Sequence, residues 1–395
     1  MLPLKLLLGG LIKEGTLKII DHRGRAYAFG NGAEPSVTLR LHDRRLPWKM
    51  LRHPSLAVGE AYMDGRLTIE GGDILQFLNL VAANSGGATY DRMPTRFLRA
   101  LLCRLRQANS ERRARRNVAR HYEFKTEFYD LFLDGNRQYS CGYFRSPNDS
   151  LDQAQCNKLD HIAGKLLLAP HHRVLDIGCG WGTLARHINA VSGAKVTGIT
   201  LSEEQCNAAN AMAQAEGRQG DIEFRLEDYR KIAGPFDRVV SVGMFEHVGL
   251  PNYDTYFRCI NDLLTDDGIA MVHTIGRADG PGVTNEWTEK YIFPGGYSPA
   301  LSEVMPAVER SGLFVSDVEV WRTHYGRTTE HWYRRFQQNR DRIRAMYDER
   351  FCRMFEFFLA GCVGSFDWGG LVVFQIQLGK KVDSVPLTRD YLYAQ

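Results

Sequence analysis

The most informative stretch of this chain is Arg173-Val174-Leu175-Asp176-Ile177-Gly178-Cys179-Gly180-Trp181-Gly182. It begins as an apolar strand and ends in a loop with glycine at every second position. Glycines at a strand-to-helix turn let the backbone approach a ligand and let the next helix start close to the sheet. A dinucleotide site prefers G-x-G-x-x-G/A, but Thr183 stands where the last small residue belongs. The loop therefore predicts a ligand site that departs from the dinucleotide fingerprint.

The residues that follow this loop alternate between strand and helix patterns. Strands separated by helices predict an α/β fold with a doubly wound, mostly parallel sheet and right-handed crossovers. We interpret the final strand of the series as an added edge of this sheet. The predicted strands are 173–177, 195–200, 222–226, 236–242, 269–274 and 370–378, and the predicted helices are 183–191 and 203–216.

The N-terminal part has a different pattern, with short strands and turns between residues 15 and 72. It predicts strands at 17–21 and 36–41 and helices at 57–65 and 73–82, which form a small α+β domain. The first ten residues have a short apolar run without a signal-peptide cleavage site, and we interpret them as a helix. The predicted organisation is an N-terminal domain at 1–97, a basic linker at 98–120 and a catalytic domain at 121–395.

Composition excludes several classes of protein. The 395 residues are 44% hydrophobic and 24% charged, which rules out disorder as the dominant state. The net charge of +4 is too small to indicate nucleic-acid binding, and no apolar run is long enough to span a bilayer. The cysteines include no C-x-x-C pair, so we expect a reduced, cytoplasmic chain with neither a metal site nor a disulfide framework.

Positive charge is concentrated in one segment. Residues 99–120 contain eight arginines and a single acid, Glu111. A solvated linker helix and a contact with anionic lipid headgroups explain this run about equally well. RNA binding is the third alternative, because no interleaved aromatic residues accompany the arginines.

The second predicted strand ends in Thr200-Leu201-Ser202-Glu203-Glu204-Gln205 rather than in the acid that usually binds ribose hydroxyls. Thr200 or Gln205 can form those hydrogen bonds instead, since both side chains donate and accept. Ser202 is also a candidate helix N-cap, and Gln205 would complete a capping box with it.

The glycine loop resembles motif I of S-adenosylmethionine-dependent methyltransferases, and further motifs make the resemblance more specific. In order and spacing they resemble the cyclopropane-fatty-acyl-phospholipid synthases and the related mycolic acid cyclopropane synthases, from about His121 to Gly379. Gly59-Glu60-Ala61-Tyr62-Met63-Asp64-Gly65 resembles the small lipid-binding domain of the bacterial phospholipid enzymes, which the mycolate enzymes lack. The motifs that carry the resemblance are Tyr139-Ser140-Cys141-Gly142-Tyr143-Phe144, Phe245-Glu246-His247-Val248-Gly249, His273-Thr274-Ile275-Gly276, Tyr291-Ile292-Phe293-Pro294-Gly295-Gly296 and His324-Tyr325-Gly326-Arg327-Thr328.

The resemblance implies a class I methyltransferase fold and two sets of site residues. An S-adenosylmethionine site would be lined by Tyr139, Ser140, Asp176, Gly178, Gly180, Thr200, Leu201, Gln205, Asp228 and Tyr229. A bicarbonate ion acting as the base would be held by Cys141, Glu246, His273, the backbone of Ile275, and Tyr325. Cys362 matches a family cysteine sometimes taken as catalytic, although a thiol on an apolar segment is more often a small core residue.

The implied reaction is methyl transfer to the double bond of an unsaturated acyl chain in a membrane phospholipid, followed by proton removal and closure of a cyclopropane ring. Aromatic side chains such as Tyr291, Phe293 and Tyr297 would either stabilise the cationic intermediate or simply pack in the core. The implied partners are an anionic phospholipid surface and a second copy of the chain, with no nucleic acid. The expected location is the cytoplasm, peripherally on the inner face of the membrane.

Two departures from the family leave alternatives open. The segment 121–129 lacks the usual glycine and asparagine, and Asp367-Trp368-Gly369 stands where the family often has arginine. One alternative is a C-methyltransferase of unsaturated lipids that does not close the ring. The other is a non-catalytic lipid-binding protein on a methyltransferase fold.

Overall fold

The structure is a computed structural model that describes residues 4, 8–85 and 124–393. The basic linker at 98–120 and most of the N-terminal helix expected from the sequence lie outside the described residues. The strands are β1 (Thr16–Ile20), β2 (Ala26–Gly30), β3 (Ser36–Leu41), β4 (Leu67–Gly71), β5 (Arg173–Ile177), β6 (Lys195–Thr200), β7 (Ile222–Leu226), β8 (Phe236–Val242), β9 (Leu264–Arg277), β10 (Phe314–Trp321) and β11 (Leu371–Gly379). The α-helices are α1 (Leu46–Arg52), α2 (Pro54–Met63), α3 (Ile74–Asn84), α4 (Thr126–Tyr129), α5 (Leu151–Lys165), α6 (Thr183–Ser192), α7 (Glu203–Ala215), α8 (Tyr253–Leu263), α9 (Glu286–Tyr291), α10 (Leu301–Ser311), α11 (His324–Gln338), α12 (Arg340–Met346) and α13 (Glu349–Asp367).

The chain forms two compact units, and neither is continuous in sequence. The first contains the described residues up to 85 together with Thr284–Pro294 and Tyr325–Leu371. The second contains residues 124–283, Gly295–His324 and residues 372–393. The predicted domain boundaries at residues 97 and 121 stay a prediction. They describe continuous segments, whereas the first compact unit combines N-terminal residues with segments from the second half of the chain.

The second unit is built on a seven-stranded sheet in the order β10-β11-β9-β8-β5-β6-β7. The strands β9, β8, β5, β6 and β7 are parallel along this series, and β10 and β11 pair antiparallel. Parallel strands covered by helices on both faces bury nearly every side chain, which is why Val174, Leu175 and Ile177 are apolar in succession. The predicted doubly wound, mostly parallel sheet is confirmed.

One prediction about this sheet is wrong. The strand at 370–378, β11, lies between β9 and β10 rather than at the edge. The edge strand on this side of the sheet is β10, which the sequence patterns did not predict. Phe314, Val315 and Val320 of β10 are exposed, so its apolar residues do not follow the buried pattern by which strands were recognised.

The first unit contains a four-stranded sheet in the order β2-β1-β3-β4. The strand at 17–21 occurs as β1, and the strand at 36–41 occurs as β3. The helix expected at 57–65 begins at Pro54 and ends at Met63, and the helix after Asp73 is capped by that side chain. The sequence patterns did not predict β2, β4 or α1.

The motif Gly59–Gly65 packs against the C-terminal segments of this first unit. A Cβ atom on Gly59 would overlap the Trp287 indole, whose Nε1–H donates to Met63 Sδ at 3.3 Å. Glu60 accepts hydrogen bonds from Lys290 Nζ at 2.7 Å and from the Tyr291 hydroxyl at 2.9 Å. These contacts explain why the motif combines a glycine, an acid and a methionine at fixed spacing.

Candidate active site

A cleft in the second unit lies where β5, β6 and β8 end. Ligands of open α/β sheets bind at the carboxyl ends of the strands, so this is the expected position for a cofactor. Every residue that the resemblance assigned to cofactor binding lines the cleft: Tyr139, Ser140, Asp176, Gly178, Gly180, Thr200, Leu201, Gln205, Asp228 and Tyr229. Their roles as cofactor ligands stay predictions, but the fold does bring them together.

The glycine loop owes its composition to both backbone conformation and packing. Gly178 and Gly182 have φ values of 84° and 77°, in the left-handed region that side chains disfavour. A Cβ atom on Gly182 would overlap the Phe224 ring, and one on Gly178 would lie 2.8 Å from Met244 Cβ. A Cβ atom on Gly180 would meet nothing within 4 Å, because this residue faces open space beside the cleft.

Asp176, at the end of β5, is a buried acid with an unused acceptor. Its Oδ2 atom is buried and has no hydrogen-bond partner among the described residues. Burial raises the pKa of this carboxyl to about 7. Because a buried acceptor without a donor is costly, the atom is suited to a ligand that supplies one, such as an ammonium or hydroxyl group.

The turn after β6 forms a small hydrogen-bonded network. Ser202 caps α7 by accepting from the Gln205 backbone N–H at 3.3 Å, which confirms the N-cap prediction. A complete capping box would also require the Gln205 side chain to accept from the Ser202 backbone N–H. That N–H donates instead to Thr200 Oγ1 at 3.2 Å, so the second half of the predicted capping box is wrong. The Thr200 hydroxyl in turn donates to Gln205 Oε1 at 3.1 Å, so both side chains are held in the lining of the cleft.

Asp228 is engaged by a neighbouring cation. Arg230 donates to its two carboxylate oxygens at 2.8 and 2.6 Å. Burial favours the neutral acid, but the Arg230 guanidinium outweighs it and lowers the pKa of Asp228. Asp228 therefore faces the cleft as a carboxylate whose orientation is fixed.

Glu246 follows β8 and is held by the end of β9. Its Oε1 atom accepts from the Ile275 backbone N–H at 2.6 Å, whereas its buried Oε2 atom has no partner among the described residues. Burial raises the pKa of Glu246 to about 7, and the Ile275 hydrogen bond only partly opposes this shift. The side chain can therefore donate a proton to a small acceptor at neutral pH.

His273 lies on β9 opposite Val242, close to the end of β8. The Gln375 Nε2 amide donates to His273 Nδ1 at 3.1 Å, which leaves the ring proton on Nε2. Burial, followed by the positive charge of Lys158, lowers the pKa of His273 to about 3, so the ring is neutral. The sheet thus places Glu246, His273 and Ile275 of the predicted cage at one end.

The other predicted cage residues have different positions. Cys141 is fully buried in the second unit, and its assignment to the cage stays a prediction. Tyr325 and Cys362 belong to the first unit, and their assignment to the cage stays a prediction. Burial raises the pKa of the Cys362 thiol to about 12, which makes a thiolate nucleophile unfavourable there.

The aromatic residues considered for cation stabilisation have partners of their own. The Tyr291 hydroxyl donates to Glu60, and the Tyr297 hydroxyl donates to Glu303 at 2.8 Å. These contacts favour the packing interpretation for both rings.

Two polar residues of this region were not among the predicted site residues, Lys158 and Gln375. Lys158 lines the cleft from α5, and Gln375 orients His273 from β11. A usable signal was present in α5, where Lys158, His161 and Lys165 recur at the spacing of one helix face and are all buried. Gln375 gave no such signal, because a single amide in an apolar strand reveals neither its burial nor its partner.

Within the described ranges, no group of His, Cys, Asp and Glu side chains is arranged to hold a metal ion. None of the helices in that same part of the chain combines the length and apolar composition that a membrane crossing requires.

A sheet of this order with a glycine loop after β5 and a cleft at the strand ends defines a class I S-adenosylmethionine-dependent methyltransferase. Comparison with known proteins makes the assignment narrower. The family model described as "Mycolic acid cyclopropane synthetase" matches residues 109–376, and a model described only as a domain of unknown function matches residues 15–91. The chain belongs to the mycolic acid cyclopropane synthetase family.

Similar proteins cover most of the chain. The "Probable fatty acid methyltransferase" of Pseudomonas putida is 35% identical over 380 residues, which cover 92% of this chain and 93% of that protein. The "Cyclopropane-fatty-acyl-phospholipid synthase" of Escherichia coli K12 is 36% identical over 357 residues and 90% of each chain. The solved structure of mycolic acid cyclopropane synthase CmaA1 with SAH and CTAB is 30% identical, has a TM-score of 0.64, and covers 67% of this chain and 98% of its own.

Proposed function

We propose that this chain transfers the methyl group of S-adenosylmethionine to the double bond of unsaturated acyl chains in phospholipids and closes a cyclopropane ring. In this proposal Glu246 would hold a bicarbonate ion, which would supply the base for the proton. The observation that carries it is the buried Glu246 carboxyl, with one oxygen fixed by the Ile275 N–H and the other unpartnered among the described residues. The name and coverage of the Escherichia coli relative support the substrate class.

The residues of the cleft suit the cofactor. S-adenosylmethionine supplies an electrophilic methyl group when bound, and it carries an ammonium, a carboxylate and ribose hydroxyls. The unpartnered Oδ2 of Asp176 offers an acceptor for a donor group of this kind. Gly180 leaves open space for close backbone approach, and Thr200 and Gln205 present hydroxyl and amide groups to the cleft.

The state of Glu246 suits a small anion beside it. Methyl transfer leaves positive charge on the acyl chain, and loss of a proton from the added carbon closes the ring, which requires a base in a dry site. An ionised Glu246 carboxylate and a bicarbonate ion in contact with it would repel each other. A carboxyl with a pKa raised to about 7 can be protonated and donate its O–H, so it can hold the anion without this repulsion.

The test incubates the protein and S-adenosylmethionine with vesicles of unsaturated phospholipid and analyses the released fatty esters. We expect the fatty ester to gain the mass of one CH₂ and to lose its double bond, so that mild catalytic hydrogenation no longer reduces it. The Glu246→Gln variant is the matched control for ring closure. A product that gains CH₂ and still takes up hydrogen would contradict ring closure.

That second outcome would support the C-methylation alternative. The relative from Pseudomonas putida supports C-methylation as a second candidate function, because it is named a probable fatty acid methyltransferase and its match covers 92% of this chain. The alternative shares the cofactor cleft and differs only in the fate of the proton. A non-catalytic lipid-binding protein would instead show no S-adenosylmethionine binding by calorimetry.

We also propose an anionic phospholipid surface as the partner, contacted through one face of the first unit. Leu46 and Met50 of α1 are buried, whereas Trp48 is 63% exposed. Exposed tryptophan next to basic residues is typical of membrane interfaces. The face, which we name the α1 basic face, consists of Arg44, Arg45, Trp48, Lys49 and Arg52, all of them exposed. Its four cations form no ion pair with any other described residue.

A flotation assay with phosphatidylglycerol and phosphatidylcholine vesicles tests this partner. Trp48→Ala should weaken binding to the anionic vesicles about 10–100-fold, because burial of a large apolar side chain contributes about 1.5–3 kcal/mol. Trp368→Ala, which removes another exposed indole of the first unit, serves as the control. Equal binding to both lipids, or an effect of both substitutions alike, would contradict the assignment. The homodimer and the peripheral location at the inner membrane face stay predictions, and sedimentation and cell fractionation test them.

A further inference from the structure

Lys158 is a buried cation of the second unit that forms no ion pair with any described residue, although the Asp134 carboxylate acts on it at longer range. It lies on α5 with 3% of its surface exposed, and its ammonium donates to Ser140 Oγ at 2.8 Å. This hydroxyl is its only hydrogen-bond partner among the described residues, and none of them forms an ion pair with it. An ammonium group has three donors, so two remain available.

A second lysine on the same helix shows the usual arrangement. Lys165 Nζ lies 2.6 Å from Glu319 Oε2, and His161 Nε2 contacts the same carboxylate at 2.6 Å. Burial of a charge is costly unless an opposite charge or hydrogen bonds compensate. Lys165 is compensated by direct contact with a carboxylate, whereas Lys158 has only the Ser140 hydroxyl in contact and the Asp134 carboxylate at longer range.

The position of Lys158 shows where compensation can come from. It lines the cofactor cleft together with Tyr139, Ser140 and Asp176. Its charge also contributes, after burial, to the lowered pKa of His273. Lys158 therefore lines the cleft, and its charge acts on His273 of the predicted anion cage.

We propose that Lys158 holds a planar carboxylate-type anion at this wall, with the Ser140 hydroxyl beside it. Two ligands of the proposed function carry that chemistry: the carboxylate of the cofactor and the bicarbonate ion. The inference rests on the proposed function for the identity of these ligands. Burial lowers the pKa of Lys158 to about 8, so the group remains mainly charged at pH 7 and can pair with either anion.

The first experiment measures binding by calorimetry, not turnover. S-adenosylhomocysteine carries the amino-acid carboxylate, and methylthioadenosine lacks it. If the cofactor is the source, Lys158→Met should weaken S-adenosylhomocysteine binding about 10–100-fold, the range for a lost charged hydrogen bond, and leave methylthioadenosine binding unchanged. Lys165→Met is the matched control, because Lys165 is equally buried on α5 but does not line the cleft.

The second experiment measures the broadening of the NMR signal of isotopically labelled bicarbonate by the wild-type protein and by Lys158→Met. Loss of broadening with S-adenosylhomocysteine binding unchanged would assign Lys158 to the free anion. If Lys158→Met does not fold, Lys158→Gln replaces it, since it removes the charge and keeps a donor for Ser140.

Unchanged binding of both anions would overturn the inference, and so would an equal loss for S-adenosylhomocysteine and methylthioadenosine without an effect on bicarbonate. These outcomes differ from failure of the proposed function. In that case the wild-type protein itself would bind neither S-adenosylhomocysteine nor bicarbonate.

Discussion

The Glu246 carboxyl carries the sharpest prediction for a single residue. Glu246→Gln keeps an oxygen for the Ile275 N–H but removes the proton that the carboxyl can share with an anion. Loss of a positioned acid–base group typically costs about 10²–10⁴-fold in rate. We therefore expect turnover to fall by that factor with S-adenosylmethionine affinity unchanged by calorimetry. Wild-type turnover in the Gln variant would contradict the role.

The same substitution has a distinct effect on stability. Burial raises the pKa of Glu246 from 4.5 to about 7, so its stabilising contribution is complete below pH 4.5 and is lost as pH rises through 7. Glutamine does not ionise, so the variant lacks this loss. The Gln variant should gain stability relative to wild type between pH 5 and pH 8, by at most about 3 kcal/mol. Urea unfolding at both pH values measures it, and a difference that is constant with pH would contradict the buried, protonated state.

Gln375 provides a test of positioning. Its amide donates to Nδ1 of His273 and so keeps the ring proton on Nε2. Gln375→Leu should free the ring to take the other tautomer and reduce kcat about tenfold or more, a loss of at least about 1.4 kcal/mol. Nitrogen NMR of the histidine reports the tautomer independently of turnover. An unchanged tautomer together with reduced kcat would indicate a purely structural role.

Residues of the site were predictable to different degrees. The glycine loop, Thr200 and Asp228 stand at strand ends, and the carboxyl ends of parallel strands form one edge, so sequence order alone groups them. Lys158 and Gln375 act from the interiors of α5 and β11, where position in the sequence says nothing about which side chain reaches the site. Burial and hydrogen-bond partners, which only the folded chain defines, separate them from ordinary polar residues.

Among the elements, α2 and α9 pack closely through a glycine and an aromatic ring, Gly59 and Trp287. Gly59→Ala should destabilise the protein by about 1–3 kcal/mol, because the added methyl group would displace the Trp287 indole. Gly10→Ala is the control, since a Cβ atom there meets nothing within 4 Å. Urea midpoints compare the two variants. Equal midpoints would contradict the prediction, because they would show that α9 can move away from the added methyl group without loss of stability.

The elements also show where sequence patterns lose information. Strands β5, β6 and β8 are largely buried, and β7 alternates buried and exposed residues; both patterns indicate strands, and the bounds of all four agree with prediction. Strand β10 mixes Asp317 and Glu319 with exposed valines, a pattern that does not distinguish an edge strand from a loop. Because an edge strand has a neighbour on one side only, it requires fewer buried residues.

At the scale of the whole molecule, the sequence patterns did not predict that the compact units are discontinuous in sequence. Family models match residues 15–91 and 109–376 as separate stretches. The first compact unit nevertheless includes Thr284–Pro294 and Tyr325–Leu371. Contacts between residues hundreds of positions apart, such as Tyr62 with Glu356, leave no periodic trace in a single sequence.

The discontinuous unit makes a prediction about fragments. A fragment of residues 1–97 lacks Trp287, which packs on Gly59, and it lacks α13, whose Gly364 lies against Ala82 of α3. The Tyr62 hydroxyl would also lose Glu356, its acceptor at 2.9 Å. Exposure of these surfaces removes much of the core, and small domains have little stability to spare. We expect the fragment to bind an apolar dye and to unfold without cooperativity in urea, whereas the intact chain unfolds cooperatively. A fragment that unfolds cooperatively and binds no dye would show that the N-terminal residues form an autonomous domain and that their contacts with α9 and α13 are secondary.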